Sequence, residues 1–491
     1  MDFLLTVLYY PFIEPGKTLA IIFVLVFIFM AVRDMFQRSN AIKRNFPLLG
    51  MARYVISSVG PELRQYLFAN DHEERPIPRY IRNWIYASSM NKDATVPFGT
   101  QLDLDAPGTL LMRHSSFPQE KPADAPRVVV GEDTPNPYEV ARFNISAMSF
   151  GSMSANAILA LSGGAKKGDF YHNSGEGGVS PYHLEGGANL VWQLGTAKFG
   201  ARNRDGSFDE EAFRSKSAHP QVRMIEIKLS QGAKPGKGGI LPKEKITREI
   251  ADIRLVEMGQ DVISPPKHRE WNDAHGLCEF IAKVRDLSQK PVGIKFCLGQ
   301  PQFLDEICQA FNETGIHSNY VAVDGAEGGT GAAPLAHTNM LGYPMLDALM
   351  KTENKFIEYG LRDKIRICAS GRIWTGGALA IALAAGADWA ASARGFMLSI
   401  GCIQALHCNT NFCPSGVATQ SKWLQRGLVP EIHFGRVASY QKAVIKELSM
   451  VVAACGHPSA EIMSRADLMR VVDWHDIRPM SELVPYPETN A

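Results

Sequence analysis

The chain is predicted to be an α/β protein built on a closed (β/α)8 TIM barrel, and two observations carry that expectation. From about residue 141, short apolar runs alternate with longer helical patterns. Such alternation implies a parallel sheet with helices outside. Nearly every run is followed at once by a glycine- or charge-bearing motif: MSFGSMS, KLSQGAKPGKGG, KFCLG, VDGAEGGTGAAP, ASGRIWTGG and SARGFM. A barrel assembles its site from the C-terminal ends of many strands. An open doubly wound sheet concentrates it behind one G-x-G-x-x-G. The chain has none; GGTGAAP comes closest and ends in Pro334.

The N-terminal segment, residues 1–36, is read as a hydrophobic anchor. Leu19–Val32 is a run of 14 apolar residues without a charge. As a helix it spans about 21 Å, short of the ~30 Å hydrocarbon core. Starting the helix at Pro15 lengthens it, with Lys17 snorkelling to the interface. A signal peptide competes, but the run ends in FMAV and continues RDMF, with no small-x-small cleavage site. A buried core helix competes less well, because the run has no polar face. Arg33, Arg38, Lys43 and Arg44 follow it, whereas only Lys17 closely precedes it. The positive-inside rule then gives a single pass of the cytoplasmic membrane, with the large C-terminal part facing the cytoplasm.

Residues 37–140 are mixed, with Pro-rich stretches, and are expected to pack on the barrel as an extension. Within 141–430 the expected strands are Phe143–Ser149, Arg223–Leu229, Val292–Cys297, Tyr320–Asp324, Ile365–Ala369 and Trp389–Ala393. TREIADIRLVEM, CEFIAKVRDLS and GGALAIALAAG are helix candidates between them. Residues 431–491 are expected to form a helical tail. The 51 Lys+Arg nearly balance the 50 Asp+Glu, so no strong field favours nucleic acid. Five of the eight cysteines are scattered, which argues against a secreted disulfide scaffold.

Several motifs suggest chemistry. SGRIWTGG and, some twenty residues on, SARGF follow late strands and suit a phosphate-bearing cofactor, to which Arg394 adds a charge-assisted bond. QGAKPGKGG is not a P-loop: Gln231 replaces its first glycine and Gly238 follows Lys237. Its glycines still allow close approach to an anion. NSGEGG places Glu176 between glycines, where a surface turn is the plain alternative. Lys295 lies inside an otherwise apolar strand, and a buried lysine is rare unless paired. At a barrel mouth it reaches the electron-rich edge of a flavin. Cys402, Cys408 and Cys413 fall in GCIQALHCNTNFCPSGVATQ with C-x5-C-x4-C spacing. Three thiolates in one loop suit an iron–sulfur cluster. Closed structural zinc sites usually supply four ligands.

Together SAMSFGSMS, NSGEGG, KLSQGAKPGKGG, ISPP, GGTGAAP and GCIQALHCNTNFCPSGVATQ resemble, in order over about residues 140–425, the FMN-binding synthase domain of the glutamate synthase family. The resemblance implies FMN, a [3Fe-4S] cluster on Cys402, Cys408 and Cys413, and hydride delivery to the imine of 2-oxoglutarate and ammonia. It places Met148 and Ser149 against the flavin, with Lys228, Gln231 and Lys295 near the ring. It places Gly329, Thr330, Gly371, Gly376, Arg394 and Gly395 in the phosphate-side loops. Lys234 and Glu176 match polar residues beside the reacting carbon, and Arg254 an arginine that holds the oxoacid carboxylate.

The chain departs from that family's pattern at Ile240, usually Gln, at Lys198, usually Arg, and at Val179–Ser180, usually an acidic pair. Lys198 and Ile240 are expected near the oxoacid pocket, where such exchanges alter ligand choice. The sequence reads as the synthase barrel alone, so ammonia is expected from solution or a separate glutaminase subunit. Electrons are expected from ferredoxin or a membrane redox partner. N-methylglutamate synthesis, another amino- or oxo-acid reaction, or a non-catalytic electron-transfer subunit are the competing functions. A carboxylate clamp at Arg254 argues against the last.

Overall fold

The computed structural model describes residues 14–488. The chain divides into two compact units between Tyr80 and Ile81.

In the first unit Pro15 starts a 22-residue helix ending at Phe36. At 1.5 Å per residue it is about 33 Å long. It is long and apolar enough to cross a membrane, and its exposed side chains include Leu19, Phe23, Phe27 and Phe29. The first 13 residues of the expected anchor segment lie outside the described residues. Helices Ala41–Asn45 and Leu49–Leu63 follow. The Asn40 side chain caps the former by accepting from Lys43 N at 3.1 Å.

The second unit contains the barrel. Its strands, in chain order, are β1 Phe143–Ile145, β2 His172–Asn173, β3 Leu190–Leu194, β4 Val222–Lys228, β5 Val292–Phe296, β6 Tyr320–Asp324, β7 Arg366–Ser370 and β8 Trp389–Ser392. All neighbours are parallel, and closure joins β8 to β1 through Ser392↔Ile145. Lys228 at the end of β4 stands in register with Lys295 on β5, and Asp324 at the end of β6 with Ser370 on β7. These pairings bring the strand-end motifs to one rim.

A hairpin, Val128–Val130 with Tyr138–Val140, packs its side chains with Met224, Tyr320 and Trp389 in the core. It lies within the expected 37–140 extension. The expected tail is more than helical. Pro430–Ala454 is one helix of 25 residues, but Leu468–Asp473 and Asp476–Pro479 form a hairpin that pairs with Leu110–Met112. The long helix packs on Ala155–Gly168, where a Cβ on Gly163 or Gly164 would run into Phe434 or Val437. Two glycines let the helices approach closely.

Candidate active site

The strand ends converge on a group of buried charges. Lys228 Nζ lies 3.2 Å from Glu176 Oε2 and donates to Gln231 Oε1 at 2.8 Å. The other polar end of that amide, Gln231 Nε2, is buried with no partner. Lys295 Nζ lies 3.6 Å from Asp324 Oδ2, and Gly232 N donates to the same oxygen at 2.9 Å. Burial opposes charge on Lys295, but Asp324 and Glu226 outweigh it and hold its pKa above the usual lysine value. Lys295 thus has protein carboxylates as partners in addition to its expected place near a flavin.

A pocket beside this group is lined by Ser149, Glu176, Phe199, Lys234, Ile240, Arg254 and Thr330. Lys234 comes from the loop after β4 and donates to Ala332 O at 2.9 Å. Burial brings its pKa down to about 8, against the pull of the Glu176 charge. Glu176 is itself buried; burial favours its neutral form, but Lys228 and Lys234 overcome this and lower its pKa. Gly239 lies so close that a Cβ there would strike the Glu176 carboxylate. Arg254 ends the helix Arg248–Arg254, whose start is capped by Thr247 and where a cation suits the C-terminus. It donates to Phe150 O at 2.8 Å and to Ser149 Oγ at 3.4 Å. Burial lowers its pKa to about 10.

Lys198 is not part of this lining. Its Nζ is 3.0 Å from Glu270 Oε1 and donates to Thr196 O at 3.4 Å. The neighbour that reaches the pocket is Phe199, whose ring has the Arg254 guanidinium 5.1 Å from its centre. The Lys198 charge is thus paired with an acidic residue 72 positions later, outside the lining that Phe199 enters.

The expected phosphate loops separate. Arg394 donates to Glu327 O at 2.7 Å, and Gly329 is pressed against it, since a Cβ there would lie 2.8 Å from Arg394 Nε. Gly371 has φ +144° and packs near Met345 and Glu327. Gly395 packs under Tyr440. Gly376 does not join them: its N–H donates to the Glu447 carboxylate on the C-terminal helix. Thr330 lies on the wall of the Lys234 pocket instead.

The cysteine loop is bound to the loop after β1. Gln420 Nε2 donates to Gly151 O at 3.0 Å and Met153 O at 2.9 Å, and Ser154 N to Val417 O at 2.9 Å. Tyr86 OH donates to Cys402 O at 2.7 Å. Cys402, Cys408 and Cys413 are all free thiols. Among the described residues no three His, Cys, Asp or Glu side chains converge on a single metal ion.

Several residues that shape the site had no local signature. Inside the barrel Glu226 accepts from Asn173 Nδ2 at 2.9 Å and from Gln193 Nε2 at 2.6 Å. Asp324, His183 and His268 were likewise missed. His183 Nε2 is 3.2 Å from Met148 O and His268 Nε2 is 2.9 Å from Lys228 O, so each fixes a site carbonyl. Burial lowers both imidazole pKa values to about 4, which keeps them neutral. For His183, the Ser180–His183 capping box is the one readable hint.

Buried cations balanced by carboxylates at the C-terminal rim of a closed parallel barrel define an α/β-barrel enzyme. Residues 112–458 match the family described as the conserved region in glutamate synthase. The chain belongs to the glutamate synthase family and is an enzyme of glutamate synthase type. It is 37% identical over 475 residues to the glutamate synthase large subunit-like protein YerD of Bacillus subtilis, covering 88% of this chain and 90% of that one. It is 33% identical over 319 residues to an archaeal glutamate synthase [NADPH] of Methanocaldococcus jannaschii, covering 65% and 59%. A ferredoxin-dependent glutamate synthase 2 of Synechocystis is 30% identical over 373 residues, covering 71% of this chain but 23% of that one. Thus the chain spans most of the Bacillus relative and under two thirds of the archaeal one. A solved mutant flavocytochrome b2 with benzoylformate aligns over 79% of this chain and 78% of its own, at 11% identity and TM-score 0.46.

Proposed function

We propose that this enzyme binds FMN and a [3Fe-4S] cluster and reduces the imine of 2-oxoglutarate and ammonia to glutamate. The observation that carries this reading is the meeting of Glu176, Lys234 and Arg254 around one pocket, joined through Lys228 to the unpartnered Gln231 amide. When bound, FMN supplies hydride and the cluster supplies single electrons.

The residues present suit both groups. The buried, unsatisfied Gln231 Nε2 and the two lysines Lys228 and Lys295 offer donors to an electron-rich ring. Met148 and Ser149 supply backbone against it; Arg394, with Gly329, Gly371 and Gly395, would hold the phosphate. Cys402, Cys408 and Cys413 would hold the cluster. In a cluster each thiolate grips its own iron, so the three sulfurs need not converge on one point.

In the pocket Arg254 binds a substrate carboxylate with its planar fork. Lys234, with a pKa near 8, delivers a proton to the substrate nitrogen or steadies its developing charge. Glu176 keeps Lys234 cationic and excludes a second anion. Phe199, Ile240 and Leu241 exclude water from the reacting side.

Ile240 on that wall favours a second reading, in which the acceptor is another amino or oxo acid, including the methylamine-derived pair that yields N-methylglutamate. The names of the relatives differ in electron donor, NADPH in some and ferredoxin in another. We assign the donor here to ferredoxin or a membrane redox partner, and ammonia to solution or a separate glutaminase subunit. In this reading Pro15–Phe36 anchors the chain in the cytoplasmic membrane, with the 141–430 barrel on the side of Arg33, Arg38, Lys43 and Arg44.

Anaerobic photoreduction of bound FMN followed by 2-oxoglutarate plus ammonium tests the reaction. Rapid reoxidation with glutamate formed is expected. Flavin that stays reduced with this pair, yet is reoxidised by another amino or oxo acid, removes glutamate synthesis and favours the second reading.

A further inference from the structure

Lys245 has no role in the reading above, yet it is among the most buried cations of the chain, 2% exposed. It lies in the turn Lys243–Lys245 after the short strand Ile240–Leu241. Its Nζ donates to Ser152 O at 2.5 Å and to Cys408 O at 3.2 Å. These are neutral carbonyls. Other buried cations have a carboxylate charge acting on them: Lys198 has Glu270, Lys228 has Glu176, Lys295 has Asp324 and Arg465 has Glu353 within 4 Å, and the Glu176 charge also acts on Lys234 and Arg254. Among the described residues Lys245 has no carboxylate within 4 Å. An ammonium taken from water costs several kcal/mol unless an opposite charge repays it. The ionisable groups facing it are the Cys408 and Cys413 thiols and the Arg254 guanidinium. Only the thiols are able to carry negative charge.

We propose that Lys245 is the resident counter-cation of the iron–sulfur site on Cys402, Cys408 and Cys413, stabilising its more negative, reduced state. This rests on the cluster assignment under Proposed function. A cation beside a thiolate-ligated cluster favours added electron density and raises the reduction potential. The position also joins two parts of the molecule. Ser152 belongs to the loop that carries Ser149 into the substrate pocket, and Cys408 belongs to the cluster loop. Next to Lys245, Glu244 O accepts from Asn411 Nδ2 at 2.9 Å, a second tie to the same loop.

The test compares the full chain with its Lys245→Gln and Lys245→Arg variants after anaerobic reconstitution with FMN, iron and sulfide. Flavin, iron and sulfide contents and the cluster midpoint potential, followed by electron paramagnetic resonance, are the readouts. Lys245→Gln is expected to keep its flavin while its cluster potential moves negative, or to lose more than half its iron. Lys245→Arg is expected to restore either property. Full iron at an unchanged potential overturns the proposal. Loss of flavin and iron together in Lys245→Gln marks a packing role and overturns it too. Unmodified chain that takes up flavin but no iron defeats the cluster assignment itself, which separates that failure from one confined to Lys245.

Discussion

Lys228 Nζ stands 3.2 Å from Glu176 Oε2, and this pair links the charges at the barrel mouth to the pocket lined by Lys234 and Arg254. Glu176 also acts on Lys234, whose pKa of about 8 is set by burial and raised from a lower value by the Glu176 charge. Lys234 therefore loses its proton as pH rises through about 8. A reaction that needs the ammonium falls off above that pH. Glu176→Gln removes the attracting charge, so the alkaline limb of kcat/KM is expected to move to lower pH. A profile that keeps its alkaline limb in place excludes Glu176 as the partner that sets Lys234.

Arg254 lines the pocket from a buried position, and in the proposed reading its guanidinium takes the oxoacid carboxylate. Arg254→Gln is expected to cost about 1.5–3 kcal/mol of binding, roughly 10- to 140-fold in KM for the oxoacid, the usual worth of a hydrogen bond to a charged group. Steady-state kinetics at saturating ammonium checks this. An unchanged KM places the carboxylate elsewhere.

Asp324 holds both Lys295 Nζ and Gly232 N. Asp324→Asn leaves a buried ammonium without its nearest counter-charge, at a cost of about 3–5 kcal/mol. Equilibrium urea unfolding followed by tryptophan fluorescence should show that loss. A change below about 0.5 kcal/mol would mean that Glu226 alone suffices for Lys295.

Gly163 and Gly164 face Phe434 and Val437 with no space for a side chain. Gly163→Ala and Gly164→Ala are each expected to destabilise the protein by about 1–3 kcal/mol through overpacking. The same unfolding measurement applies. Stability equal to that of the parent would show that the long helix shifts freely.

Six barrel strands were legible because each is a bounded apolar run between polar motifs. Of the two missed strands, only one lacks that signature. His172–Asn173 is two polar residues, and Leu190–Leu194 carries Gln193, whose amide is spent on Glu226 on a neighbouring strand. Leu190–Leu194 is otherwise apolar and open to the same reading; what patterning does not report is the polar interior made by Gln193 and Glu226. Glu176, Lys234 and Arg254 were recognisable from motif and resemblance, and the fold brings them together. Glu226 and Asp324 were not, because their roles depend on partners tens of residues away. The pairing of Lys198 was hidden for the same reason: its charge meets Glu270, which no local pattern connects to it. The hairpin after the long helix was hidden because its partner strand, Leu110–Met112, lies far upstream.

One contact at the barrel's rim bears on ligand polarity. The helix Gly376–Ala384 would ordinarily attract a phosphate at its start, yet its first N–H already serves the Glu447 carboxylate. A carboxyl stationed there competes with any second anion for that N–H group. In the proposed reading the dianionic group therefore belongs on the Arg394 side of the rim, where Gly329 packs against the guanidinium. A long cofactor with one charged end is then expected to lie in a single direction, set by where its charge is refused as much as by where it is received.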